Sequence, residues 1–418
     1  MRKIYILLIV VSALTLVSAA AYFLVSSLAP TGQAGNKPGP VIAPVSQRLT
    51  VGAYYHTYDS KDSPFWQRYL RRKLNIQQPP QLGEYSCRDE QVIKQHLDWA
   101  QDAGIDFFAM SWFGPGSASD VTIKNYFAAY LKRHLPDPSV VRAGKSDFKF
   151  CLVYQTPYIL PFEKGVVIID RDALRLFQNH LLYAADEYFK EPNYLEINGR
   201  PVLFIYVSHL LRGDYELALT KTCNVIKQRT GLDIFLVGDE VIFPEGNGRQ
   251  TQPDKKRLGV FDAITTHTIV GPARYDGLPV LTGFFKDLDE LFQSYRQLAR
   301  EKDVMFIPCA MPGFNNRGYD KAGAGARYSI LPREATLDKD NEGTTYQVYL
   351  NIARKYVDPS LGLLMINSFN GFSDDTQIEP VASNFVTPAS APAELTGGYR
   401  YYNYQDLYLR LTKEGLKE

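Results

Sequence analysis

Neither sign of charge predominates in this chain. Lys and Arg number 46, Asp and Glu 45, and the formal net charge is +1. There is no basic field to attract nucleic acid, which is not expected as a partner. Histidine and cysteine are scarce, six and four in 418 residues. The histidines are scattered, with no HExxH or HxH pattern, and Cys87, Cys151, Cys223 and Cys309 form no CxxC pair. A catalytic metal is therefore not expected, nor any other cofactor. No GxSxG marks a serine hydrolase, and no GxGxxG follows a strand-like run. The glycines from Gly313 to Gly325 lack the GK[ST] ending of a phosphate loop. Hydrophobic residues at 45% and charged residues at 22% exclude a mostly disordered chain and a polytopic membrane protein. Aromatics, by contrast, are plentiful, with 28 Tyr and 23 Phe.

The first residues differ from the rest. Arg2-Lys3 precedes an apolar run from Ile4 to about Leu24. That length suits a membrane anchor, and Ser18-Ala19-Ala20-Ala21 also suits signal cleavage. Positive charge before the run predicts a cytoplasmic N-terminus. The expectation is a body held at the membrane by its N-terminus and exported, or one secreted after cleavage. Residues 1–27 are read as signal anchor or signal peptide. Residues 28–47, rich in Pro and Gly, are read as a flexible linker. Residues 48–418 are the folded body.

Within the body, short apolar runs alternate with helical patterns. The expected strands are Val51–Tyr55, Ile105–Ser111, Lys149–Tyr154, Pro201–Tyr206, Ile234–Gly238, Phe261–Thr265, Val304–Pro308 and Gly362–Asn367. Helices are expected near 89–103, 121–133, 171–189, 215–229, 287–301, 345–356 and 405–411. Eight such units predict a (β/α)8 TIM barrel with enlarged βα loops. The weakest stretch is Glu240 to Gly259, which reads as loop. An open doubly wound sheet is the alternative.

In a barrel, chemistry belongs at the C-terminal strand ends. Those positions carry Tyr54, Tyr55 and His56, then Trp112, Tyr154 and Gln155, then Tyr206, Asp239, Glu240 and His267. After the last strand come Asn370, Phe372 and Asp374. Aromatic faces, amides and imidazoles suit sugar binding, and carboxyls suit proton transfer. The candidates for catalysis are Asp374, Glu240 and Asp239; the others are candidates for binding a glycan.

Several segments along the body resemble glycoside hydrolase family 99, the endo-α-1,2-mannosidases, and its wider relatives. They are Gly52-Ala53-Tyr54-Tyr55, Leu82 to Asp89, Ser111-Trp112-Phe113-Gly114-Pro115-Gly116, Asn198-Gly199-Arg200-Pro201, Met311-Pro312-Gly313-Phe314, and Ser368-Phe369-Asn370 with Asp375-Thr376-Gln377-Ile378-Glu379-Pro380. The resemblance implies a (β/α)8 barrel acting on α-mannosyl chains with retention. It further implies two glutamates in the last motif, one a base on the substrate's 2-hydroxyl and one an acid/base three residues later. Here those positions hold Gly371 and Asp374, and Phe372 stands where the family has Trp. Glycine cannot take a proton, so the implied mechanism does not carry over intact. Three readings stay open: a relocated base with Asp239 or Glu240 as candidates and Glu84 behind them, a glycan-binding barrel without turnover, or another reaction such as transfer. Glu379 is read as structural.

Overall fold

A computed structural model describes residues 48–417 apart from 59, 61–65, 67–77, 135–146, 243–253, 268–280, 316–329, 334–341 and 383–403. The N-terminal apolar run and the linker lie outside the described residues. What is described belongs to one compact unit, Arg48–Glu418.

Eight parallel strands form the centre. They are β1 (Thr50–Tyr55), β2 (Phe107–Trp112), β3 (Lys149–Tyr154), β4 (Arg200–Ile205), β5 (Phe235–Asp239), β6 (Ala263–Thr265), β7 (Met305–Ile307, resumed as Cys309–Ala310) and β8 (Leu363–Ile366). Neighbours pair in sequence order from β1 to β7, and β1 pairs with β8. Pro308 has no amide hydrogen and interrupts β7. The half before it pairs with β6, and the half after it pairs with β8. The Pro308 carbonyl itself accepts from Met365 N at 2.9 Å. The ring therefore closes, as the sequence predicts.

A helix follows each strand: α1 (Glu90–Asp102), α2 (Ala118–Thr122, a π turn Ile123–Ala128, then Ala129–His134), α3 (Arg171–Glu187), α4 (Tyr215–Thr230), α5 (Lys255–Leu258), α6 (Leu281–Glu301), α7 (Thr344–Lys355) and α8 (Leu407–Gly415). Asp89 caps α1 by accepting from Gln91 N at 2.8 Å, and Asp170 caps α3 in the same way. Two starts and one loop differ from expectation, and α6 begins at Leu281, six residues before the expected 287. The helix α2 begins three residues early because the Ser117 side chain accepts from Asp120 N. Its π turn adds a residue and breaks the 3.6 period that marks a helix in sequence. The stretch read as loop between β5 and β6 holds α5, which is too short to show any period.

Paired residues of parallel neighbours share a face, and side chains alternate along each strand. One face meets at the barrel axis. Gly52 lies there because the Phe107 ring fills the space in which its Cβ would stand. The other face packs under the helices, where Phe108, Phe127 and Phe150 are buried. Gly52→Ala should lower stability by about 1–3 kcal/mol through overpacking, read as a lower urea midpoint with an unchanged slope.

Candidate functional site

The strand register sorts the predicted site residues into two sets. Tyr54 faces the axis, and its hydroxyl bonds Thr265 near Cys151, Cys309 and Asp239. On the same face stand Ser111 and Gln155, joined from Gln155 Nε2 to Ser111 Oγ at 3.2 Å. Asp239 is paired with Thr265 and so also faces the axis. The ring of His267 lies 4.3 Å from that of Tyr54 and 4.8 Å from that of Tyr206. Asn367 at the end of β8 donates through Nδ2 to the His267 carbonyl. These residues make one polar, aromatic cluster at the C-terminal mouth.

Tyr55, Trp112 and Tyr154 are not part of it, and this corrects the expectation that they bind substrate. Each sits one residue from an axis-facing position and so points outward. Tyr55 packs on Phe108, and its hydroxyl lies 2.9 Å from His96 Nδ1. Trp112 Nε1 donates to Asp120 at 2.9 Å, and the Tyr154 hydroxyl lies 3.1 Å from His180 of α3. Glu240 is turned outward for the same reason. Arg257 Nε donates to both its oxygens, at 2.8 and 2.9 Å, and Ser208 Oγ donates at 2.6 Å. As a proposed partner of Asp374 it is already neutralised, on the wrong side of the sheet.

Asp239 has a different environment. Its two oxygens accept only backbone donors among the bonds described, His267 N and Val207 N, both at 2.9 Å. Burial pushes its carboxyl up to about 6, against the pull of those two N–H groups. Burial pushes His56 down to about 4. Burial, and then the nearby His56, push His267 down to about 3. Both imidazoles are therefore neutral above pH 5. The His56 Nε2 is sealed from solvent and meets no hydrogen-bond partner among the described residues.

The segment after β8 is held from both sides. Asn370 grips the His56 peptide: its Oδ1 accepts from His56 N at 2.8 Å and its Nδ2 donates to His56 O at 3.0 Å. Its amide is thus spent on the chain itself, not on a glycan as expected. Tyr58 donates to the Asn370 carbonyl at 2.6 Å. Tyr85 donates to Glu379 Oε2 at 2.7 Å, and His96 Nε2 lies 3.3 Å from Glu379 Oε1. That fully buried glutamate has the structural place read for it. Phe372 is buried against Trp66. From the loop after β7, Arg333 Nε pairs with Asp375 Oδ1 at 3.1 Å, and Nη2 bonds the carbonyls of Asp375 and Gln377. The guanidinium lies over the rings of Tyr404 and Tyr408. Sequence reasoning missed Arg333, because its partner stands 42 positions away and no local pattern joins them.

Asp374 is half-buried on this segment, and its Oδ1 accepts from Thr376 Oγ1 at 3.1 Å. At Gly371 a Cβ would overlap Thr376 Oγ1 and Ser368 Oγ and stand 3.1 Å from Asp374 Oδ1. The space that a side chain at 371 would take is already filled.

The (β/α)8 barrel gathers carboxyls, imidazoles and tyrosines at its C-terminal mouth, the face on which barrels of this class carry their chemistry. The chain belongs to the family described as glycosyltransferase WbsX, whose profile matches residues 71–385, about three-quarters of its length. It is 25% identical over 350 residues to the glycoprotein endo-alpha-1,2-mannosidase of Mus musculus, covering 80% of this chain and 62% of that one. The chain thus spans about three-fifths of the length of the curated relatives it matches. In structure it is similar to the GH99 endo-alpha-mannosidase from Bacteroides thetaiotaomicron, with a TM-score of 0.57, 17% identity, and coverage of 88% of this chain and 96% of that one. It is also similar to a glycoside hydrolase-like protein, with a TM-score of 0.65, 18% identity, and coverage of 92% and 98%. The motif resemblance to family 99 is borne out.

Two measurements follow. Arg333→Met leaves Asp375 buried without its cation and should cost about 3–5 kcal/mol in urea unfolding, with part regained in Arg333→Met/Asp375→Asn. The second concerns acid. His56 and His267 titrate below the unfolded value of about 6.5, so stability is full above pH 6.5 and falls towards pH 4. Asp239, raised above the unfolded carboxyl, acts oppositely: its contribution is full below about pH 4 and is lost as pH rises through 6. With two groups against one, the urea midpoint should drop from pH 7 to pH 4.5, and by less in His267→Gln.

Proposed function

We propose that the protein binds an α-mannosyl or related glycan at the mouth of the barrel and breaks a glycosidic bond in it, with Asp239 and Asp374 as its two carboxyls. One observation carries this reading. Asp239 is an axis-facing carboxyl beside Tyr54, Tyr206 and His267, with its pKa pushed up to about 6. A group that titrates near neutrality serves best as acid or base. Tyr206, only partly buried beside His267, offers an aromatic face to sugar C–H surfaces. In hydrolysis Asp374 gives its proton to the leaving oxygen as the C–O bond breaks. The Asp239 carboxylate takes a proton from the attacking water, so one water is consumed, and proton exchange with solvent then returns Asp374 to its acid form and Asp239 to its base form. The same two proton movements serve transfer when a sugar hydroxyl replaces water.

Glycan binding without cleavage is the second reading. It is favoured by Gly371, which leaves the base position of family 99 without a side chain. We further propose that the body lies outside the cytoplasm, held by the N-terminal apolar run or released from it. The support is Arg2-Lys3 before a run of anchor length.

The test is product release by the full-length protein from a panel of α-mannans and mannose-rich glycans. Asp374→Asn and Asp239→Asn should each lower kcat/KM by about 10²–10⁴-fold. The wild-type profile should show a limb near pH 6 that Asp239→Asn removes. A rise in rate through that limb makes Asp239 the base, and a fall makes it the acid. Binding without release from any glycan would support the second reading.

A further inference from the structure

The hydroxyls that fill the space at Gly371 form a directed chain. Gly371 N donates to Ser368 Oγ at 2.7 Å, so the Ser368 proton is free to point elsewhere. Its nearest hydroxyl partner is Thr376 Oγ1, at 2.8 Å. With that proton arriving, Thr376 directs its own to Asp374 Oδ1 at 3.1 Å; the alternative acceptor, the Gly371 carbonyl, is longer at 3.4 Å. Ser368 and Thr376 are both fully buried, so water does not compete for these protons.

Their frame is fixed as well. Ser368 N donates to Thr376 O at 2.8 Å, and Ile378 N donates to Ser368 O at 3.0 Å. Asn315 N holds the Asp374 carbonyl at 2.8 Å. The chain requires glycine at 371, because a Cβ would displace both hydroxyls.

We propose that Thr376, backed by Ser368, is a positioning residue that fixes the Asp374 carboxyl by donating to its Oδ1. This inference rests on the reading of Asp374 as one of the two reacting carboxyls. It makes Gly371 more than the loss of a base: the glycine gives the remaining carboxyl an orienting donor.

The test has one arm that needs no substrate. In full-length protein carrying ¹³C-labelled aspartate carboxyls, the Asp374 signal, assigned with Asp374→Asn, is titrated by NMR. Losing a donor to the ionised carboxyl should raise its pKa by about one unit in Thr376→Val. Thr376→Ser keeps the hydroxyl and should return it to the wild-type value. Ser368→Ala should shift it the same way by less. A titration unmoved by Thr376→Val, or shifted as far by Thr376→Ser, overturns the inference. The second arm reads kinetics on any glycan the wild type cleaves. Thr376→Val should lower kcat about tenfold with KM unchanged, and Thr376→Ser should restore it. A rise in KM at constant kcat would overturn the positioning role. If no glycan is cleaved, the hydrolytic reading fails while the titration still decides whether Thr376 holds the carboxyl.

Discussion

Adjacent side chains of a strand leave opposite faces of the sheet, and this pleat governs everything at the mouth of the barrel. It puts Tyr54 on the axis and Tyr55 under α1. It puts Asp239 among aromatic and imidazole rings and gives Glu240 to Arg257. Two carboxyls that are neighbours in sequence thereby acquire opposite characters. One is poised near neutrality by burial, and the other is paired with a buried cation. No exchange of roles is open to them without a shift in register, which would overturn the whole core face.

Around that axis the chain spends its polar groups on holding one segment. Residues 367–380 carry neither helix nor strand, yet nearly all are buried. Such backbone must find its partners elsewhere. It finds them in Tyr58 and Tyr404, which donate to the carbonyls of Asn370 and Glu379, in Arg333, which reaches the carbonyls of Asp375 and Gln377 from the loop after β7, and in the Tyr54 carbonyl, which accepts from Phe369 N. Anchors on both flanks give the Asp374 loop a defined position without regular structure, as precise chemistry requires.

Much of this was legible beforehand. The strand–helix alternation gave the barrel, because apolar runs and helical periods are local signals. The resemblance in the last motif drew attention to Asp374 and to the gap at Gly371. Three things escaped. The inward or outward sense of Tyr55, Trp112, Tyr154 and Glu240 depends on where each strand starts relative to its neighbours, which single residues do not reveal. The π turn in α2 hid the start of that helix by adding a residue to its period. The Arg333 clamp and the occupied space at Gly371 are three-dimensional facts with no sequence pattern of their own. Asn370 stands on the right loop but serves another purpose, since an amide suited to a sugar hydroxyl is equally suited to a peptide.

The occupied space at Gly371 also bears on how such a loop changes over generations. A glutamate introduced at that position would arrive where two hydroxyls already stand. To admit it, the segment would have to move, or Ser368 and Thr376 would have to change first. The packing at Gly371 therefore works as a lock: in this loop the carboxyls already present are easier to adjust than a new one at 371 is to admit.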